Sequence, residues 1–383
     1  MHIVYIYSEI AIKGGADKVI VEKANYFAMH GYEVTIVTES QMGRPMAFPL
    51  DAAVKHIDMN LDFNSQYSQG FIRRAFTYYS LMRLYKNKLS RVLCELKPDI
   101  VIITLGRSLE FINDIKDGSI KMGEAHTTKY HLRSLHLMEQ RGVLYKWIAK
   151  YQRWKMCYNA SKLKALVLLT PQDEADWRGT TKTYVIPNAI PELPAQTSTL
   201  TKKQVIMVGR YNDAKGYDYL IPAWDIVHQR FPDWKLQVYG SGEYYEQVVS
   251  WIKEHNIEDS MILHEPTDKI MKEYQESSIC VMSSRYEGFP MVLVEAMASG
   301  VPCVAFDCPF GPRNIIRNNE DGLLVDYLNT QALADGICKL IDNKDLRTTM
   351  GRKARENILR FSRENVMQQW VDLFESLFLE KGR

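Results

Sequence analysis

Between Ser283 and Gly300 the chain reads Ser-Ser-Arg-Tyr-Glu-Gly-Phe-Pro-Met-Val-Leu-Val-Glu-Ala-Met-Ala-Ser-Gly, and it carries two carboxylates, Glu287 and Glu295, with seven residues between them. The apolar run Ile279–Met282 predicts a short strand, and the polar residues after it a turn that holds Glu287 and Gly288. Pro290 predicts the first turn of a helix, because the N–H that proline lacks has no intrahelical partner there. The backbone N–H groups of Met291 and Val292 then point out of the helix end, where a phosphate can bind. Glu295 lies among Val292, Leu293, Val294, Ala296 and Met297, so the helix reads as buried on nearly all sides. A first-turn glutamate can simply complement the helix dipole, and one within a helix can face water. A carboxylate in so apolar a setting needs a partner instead. An anion site beside two hydroxyl acceptors suits a ligand with hydroxyls at both ends and a diphosphate between, as in a nucleotide-sugar.

A second constellation supplies cations. Val208-Gly-Arg-Tyr-Asn-Asp-Ala-Lys-Gly216 follows a predicted strand and precedes a predicted helix, with Arg210 and Lys215 five apart in a loop flanked by Gly209 and Gly216. Two such cations can converge on a diphosphate, Arg through bidentate bonds and Lys as a point charge. The bland alternative is a solvated loop with two basic residues. In the first half, a Gly14-Gly15 turn follows the first strand, and Met122-Gly-Glu-Ala-His-Thr-Thr128 is read as following another.

These residues need elements to hold them. Short, β-branched, continuous runs predict buried parallel strands at Ile3–Tyr7, Glu33–Val37, Ile100–Thr104, Ala165–Leu169 and Tyr184–Ile186. A second series is Gln204–Val208, Lys235–Tyr239, Met261–Leu263, Ile279–Met282 and Cys303–Phe306. Segments long enough for crossover helices separate them, so the fold class is α/β. From Pro187 to Lys203 three prolines and a Ser/Thr cluster read as a linker. The expected organisation is two Rossmann-like domains, 1–190 and 200–361, facing across a cleft at the carboxyl ends of their strands. A final amphipathic helix over 362–383, with Val366, Trp370, Leu373, Phe374 and Leu377 on one side, is expected to return to the first domain.

Composition excludes some classes. The 383 residues suit two domains, and 48 basic against 46 acidic residues argue against a bulk nucleic-acid binder. The six cysteines form no Cys-x-x-Cys pair; most sit in apolar runs and read as small buried hydrophobes, which fits a reducing cytoplasm. No apolar run reaches the length of a membrane span, and the N-terminus enters a strand at once without a signal-peptide pattern.

The Glu287–Glu295 motif, the 208–216 loop and Val185-Ile-Pro-Asn-Ala189 together resemble the retaining glycosyltransferases of family 4, which have the GT-B fold. With the Gly14-Gly15 turn, the resemblance covers nearly the whole chain. It implies that Arg210 and Lys215 hold the donor diphosphate, that Glu287 contacts the donor sugar, and that Glu295 binds the ribose hydroxyls. It also implies that the backbone around Gly209, Gly288, Phe289, Pro290, Met291 and Val292 lines the donor site, with the nucleobase near His264 and Glu265. His126 matches a histidine that the family places near the site of transfer, with His131 the alternative; a lone histidine is otherwise most often a satisfied core or surface residue. Gly15 would let the chain approach the diphosphate, because glycine lacks the Cβ obstacle, and Lys13 and Asp17 are further acceptor candidates. A leaving phosphate that takes the acceptor proton on the same face would retain configuration without a dedicated base. Metal-dependent transferases of the other common fold use Asp-x-Asp, which is absent from this chain, so no metal or other cofactor is expected.

Two segments carry basic residues interleaved with aromatics. Residues 71–97 contain Arg73, Arg74, Arg83, Lys86, Lys88, Arg91 and Lys97 against Glu95, and 129–164 contain nine basic residues against Glu139. Phe76, Tyr78, Tyr79 and Tyr85 accompany the first set, and Tyr145, Trp147, Tyr151, Trp154 and Tyr158 the second. Such helices bind anionic membrane surfaces; the bland reading turns their aromatics into the core, and a third has them cradle single-stranded nucleic acid. The expectation is a cytoplasmic enzyme, peripheral on the inner face of the cell membrane, that moves a hexosyl group from a UDP-sugar to a glycan or polyprenyl-linked acceptor in surface polysaccharide synthesis, without a nucleic-acid partner. The alternatives are a UDP-sugar epimerase on the same scaffold and a non-catalytic nucleotide-sugar-binding scaffold.

Overall fold

The computed structural model describes residues 1–11, 14–68, 70–140, 142–191 and 193–381; the acceptor candidate Lys13 and Arg141 of the second basic segment lie outside the described residues. The chain divides into two compact units, one of Met1–Pro187 with Met367–Arg383, the other Asn188–Val366.

The first unit is built on seven parallel strands: β1 His2–Tyr7, β2 Glu33–Thr38, β3 Val54–Asp58, β4 Ile100–Ile103, β5 Ile120–Glu124, β6 Ala165–Leu168 and β7 Thr183–Val185. Their order across the sheet is β3-β2-β1-β4-β5-β6-β7. The second unit has six: β8 Gln204–Val208, β9 Lys235–Tyr239, β10 Met261–His264, β11 Ile279–Met282, β12 Cys303–Phe306 and β13 Gly322–Val325. Their order is β10-β9-β8-β11-β12-β13. Central strands such as β4 (Ile-Val-Ile-Ile) and β11 (Ile-Cys-Val-Met) are buried at every position, as expected of strands covered by helices on both faces. Asn329 and Asn343 cap two helices of the second unit by accepting bonds from the Ala332 and Leu346 N–H groups.

Three strands escape the apolar-run reading. β3 and β13 are edge strands: one carries Lys55, His56 and Asp58, and the other is four residues long and starts on glycine. β5, expected ahead of Met122, contains Met122 and ends at Glu124; Asp117 engages the buried Lys121 within it.

The stretch read as a linker is mostly part of the second unit. The Ser198 N–H donates to Ser299 O and its hydroxyl to Ser277 O. Arg355 donates to Pro194 O, and Arg347 to Leu200 O. Arginines that satisfy loop carbonyls fix the backbone where proline leaves no ladder to join. The first boundary therefore falls at Pro187, not within 190–200.

The last helix runs Arg363–Lys381, and its residues from Met367 on belong to the first unit. Trp370, Phe374 and Leu377 are buried; Phe374 packs 5.5 Å from Phe27, centroid to centroid, and Lys182 reaches Glu380. In both sheets the candidate residues lie just beyond carboxyl strand ends: His126 after β5, the 209–216 loop after β8, His264 and Glu265 at the end of β10, and the 283–290 turn after β11.

Candidate active site

In the second unit the two motifs meet. Lys215 Nζ donates to Glu287 Oε1 at 2.6 Å, and the buried Ser284 hydroxyl donates to the same oxygen at 2.7 Å. The loops that carry them are stitched together by backbone contacts. Arg285 N donates to Ala214 O, and the Ser283 hydroxyl to Lys215 O. The Arg285 guanidinium bonds to Asp213 O and pairs with Asp218 at 2.6 Å, while the Tyr327 hydroxyl donates to Arg285 O. Gly216, at φ +62°, sits where a Cβ would lie 2.2 Å from Ser283 O. Only glycine permits that turn and that approach. Gly209 lies beneath the Lys215 stem, a Cβ there coming 3.2 Å from its Cδ and Cε.

Arg210 is exposed, and no carboxylate pairs with it among the described residues. Pro290 is the N-cap, one position ahead of the expected start: the helix spans Met291–Ala298 and the proline is extended (φ −71°, ψ 96°). Leu293 N is the first helix amide to return to a carbonyl, Pro290 O, which leaves the Met291 and Val292 N–H groups at the positive helix end. Phe289 turns inward and meets Phe361 edge-on at 5.3 Å, anchoring the turn by its side chain. Glu295 is buried, as expected, and the Tyr274 hydroxyl donates to it at 3.5 Å. Burial and the Glu295 charge hold the Tyr274 phenol well above its ordinary range. Gly311 closes over the turn at φ +69°; a Cβ there would be 2.6 Å from Pro290 Cδ and 3.2 Å from Glu287 Cβ. Burial, followed by the Glu287 charge, pushes the neighbouring Cys308 thiol upward.

His264 stands at the end of β10, with its ring stacked 4.6 Å from Tyr239 and Nε2 bonded to Gln237 at 2.6 Å. Its side chain is thus engaged with β9, while Glu265 is exposed. Ser284, Arg285, Tyr327 and Tyr274 are the positioning residues that the sequence reading missed. Only the Ser-Ser-Arg run at a strand end offered a signal for three of the contacts.

In the first unit Gly15 opens the Gly15–Met29 helix, and Asp17 is buried in its first turn. His126 lines a cavity of about 1070 Å³. His131 lies elsewhere, bonded to the Thr128 hydroxyl at 2.7 Å and edge-on to His136 at 4.7 Å. Beneath His126 is a buried ion pair with no sequence signature. Lys23 donates to Glu124, whose Oε1 is 3.4 Å from His126 Nε2. Lys23 Nζ also sits 4.3 Å from the Trp370 ring centroid, over its face. Burial lowers the Lys23 pKa against the pull of Glu124. For Glu124, burial acts upward, but Lys23 and His126 outweigh it and hold the carboxyl below its usual range. Burial lowers the His126 pKa, Glu124 opposes, and Lys23 adds to the lowering.

The basic helices also differ from one another. Over Val143–Ala160 the aromatics face outward: Trp147 is 66% and Trp154 60% exposed, and Trp154 stacks between Tyr151 and Tyr158. The Phe71–Leu96 helix exposes Phe76 and Tyr79 but buries Tyr85. No helix among the described residues is long and apolar enough to cross a membrane, and no three His, Cys, Asp or Glu side chains among them cluster to hold a metal ion.

Solved structures share this architecture. TarM of S. aureus, crystallised in complex with Fondaparinux, alpha-GlcNAc-glycerol and UDP, superposes with a TM-score of 0.79 over 97% of this chain and 99% of its own, at 19% identity. Two parallel-sheet Rossmann-like units of this kind are the GT-B fold. Residues 190–357 match the family described as glycosyl transferases group 1, so the second unit carries a glycosyltransferase group 1 domain. Over the whole length, an uncharacterized glycosyltransferase of Haemophilus influenzae is 28% identical across 96% of this chain and 98% of its own. The amylovoran biosynthesis glycosyltransferase AmsD of Erwinia amylovora is 27% identical across 95% and 97%.

Proposed function

We propose that the protein is a retaining, metal-independent hexosyltransferase of the family 4 type, which moves a sugar from a nucleotide diphosphate, UDP above all, to a hydroxyl of a glycan or lipid-linked glycan in surface polysaccharide synthesis. The observation that carries this is the contact between Lys215 and Glu287 beside the Met291–Ala298 helix end. A diphosphate arriving there would draw Lys215 off the carboxylate and leave Glu287 free for sugar hydroxyls. Arg210, with no carboxylate partner among the described residues, would take the other phosphate. Developing charge on the departing diphosphate would meet preorganised cations and helix N–H groups. Glu295 would receive the ribose hydroxyls and His126 would stand by the transferred sugar. The bound UDP of TarM and the amylovoran role of AmsD support the donor and the setting.

The outward aromatics of the 143–160 helix, set among Lys146, Lys150 and Lys162, support docking on an anionic inner leaflet. The enzyme would then be cytoplasmic and peripheral.

Glu287→Ala should abolish transfer while leaving UDP binding largely intact, and Lys215→Ala should weaken UDP binding itself. Unchanged turnover by Glu287→Ala would overturn the assignment. An epimerase would convert the UDP-sugar with no acceptor present, and a scaffold would bind it without turnover.

A further inference from the structure

The first unit's cavity has an uneven wall. Arg74 comes from the Phe71–Leu96 helix, Arg107 from the turn after β4, Arg133 from the turn after β5, and Lys155 from the Val143–Ala160 helix. Against these four cations the lining has two carboxylates, Glu39 and Glu110. Each is already engaged. Arg107 donates to Glu39 at 2.9 Å while lying 4.3 Å over the Phe63 ring. Glu110 takes Arg133 on one oxygen at 3.3 Å and Lys155 on the other at 2.9 Å.

The backbone there is held in an uncommon shape. Leu105 (φ 53°) and Arg133 (φ 57°) are both left-handed without being glycine. They are clamped to each other: Arg133 Nε donates to Leu105 O at 3.2 Å and its terminal nitrogen to Gly106 O. Such conformations are costly and persist where the surroundings over-determine them, often at ligand sites. Here the clamp aims Arg133 at Glu110 and brings Lys155 to the same carboxylate. One anion between two cations leaves a positive surplus facing the cavity. A neutral glycan makes no use of that surplus.

We infer that this cavity is the acceptor subsite and that it selects acceptors carrying a phosphate or diphosphate next to the sugar. Calling the ligand an acceptor rests on the transferase reading above; the preference for phosphate rests on the wall itself. The shared chemistry is a phosphorylated sugar, whether the phosphate joins a lipid or ends a soluble glycan.

The test is calorimetric binding of three probes to the full chain: methyl α-glucoside, glucose 1-phosphate and farnesyl diphosphate. It is run in Lys215→Gln protein, to silence the donor loop, and in wild type saturated with UDP. Both phosphates should bind at least about 10-fold more tightly than the glucoside. Lys155→Gln should weaken both by about 10-fold, or about 1.4 kcal/mol, without altering UDP affinity or Tm, since Glu110 keeps Arg133. Equal affinity for farnesyl diphosphate and glucose 1-phosphate would identify the phosphate alone as what is read. Tighter farnesyl diphosphate, reduced by Trp147→Ser, would identify the lipid-linked source. Equal binding of glucoside and phosphates, no phosphate binding, or phosphate affinity indifferent to Lys155→Gln overturns the inference. Failure of wild type to bind UDP would instead sink the transferase reading, leaving the Lys155-dependent phosphate result to judge the cavity.

Discussion

Lys23→Met should be among the most damaging single changes in the first unit. The Lys23 and Glu124 side chains are 3% and 1% exposed, so the substitution leaves a buried carboxylate without its lysine, 3.4 Å from His126. Removing one partner of a buried pair costs about 3–5 kcal/mol, a large part of the 5–15 kcal/mol that holds a typical domain together. The loss should depend on pH in a defined sense. In the wild type the Glu124 pKa is held below its ordinary value. Its stabilisation is therefore present above that ordinary value and is lost as pH falls through the folded one. Without Lys23, burial dominates and the direction reverses: the folded pKa rises, and stability is lost as pH increases through it. The deficit of Lys23→Met should be widest at pH 8 and narrow toward pH 5. Urea unfolding followed by circular dichroism at both pH values measures it. The double variant Lys23→Met/Glu124→Leu should recover most of the loss, because replacing both ions with apolar groups removes the uncompensated charge. A Lys23→Met deficit under 1 kcal/mol at pH 8, or a double variant whose cost is the sum of the single ones, would refute the reasoning.

Burial, and then the charge of Asp176, push the Asp173 carboxyl up to about 7, so its contribution is present below the ordinary aspartate value and is lost as pH rises through about 7. Tm should fall between pH 6 and 8.5 in the wild type and stay level in Asp173→Asn; parallel curves would contradict this. Gly216→Ala places a methyl group 2.2 Å from Ser283 O at φ +62° and should cost about 2 kcal/mol or more, with weaker UDP binding; an unshifted urea midpoint would count against the stitched-loop description. Trp147→Ser/Trp154→Ser should lose flotation with anionic liposomes while keeping Tm; equal flotation of variant and wild type would remove the 143–160 helix as the docking surface.

The second unit's candidate residues could be picked out because they are local. Arg210 and Lys215 sit in one glycine-bounded loop, and Glu287, Gly288 and Pro290 in one turn, each following an apolar strand. Residue types at short spacing carry that information. What joins the two loops was not readable, because Ser283, Ser284 and Arg285 look like any polar strand end until Gly216 brings the other backbone against them. The first unit's features lie further apart in the chain. Lys23 stands within a helix whose pattern suits a solvated lysine, and its partner Glu124 lies 101 positions on. The edge strands β3 and β13 were missed because they carry charge or few residues. The aromatics of the two basic segments could not be assigned to core or solvent from period alone. Tyr85 and Trp154 sit in similar sequence and end up on opposite sides of that division.

The ring of Trp370 over Lys23 also bears on how the molecule is made. The strands of the first unit leave the ribosome before the second unit, yet the segment that roofs their ion pair is synthesised only after that unit. During translation the lysine and glutamate must wait, incompletely shielded, while the whole of the other unit emerges. A chain stalled or clipped before Met367 would hold a finished second half and an unroofed first one, a natural target for holdase chaperones and proteases.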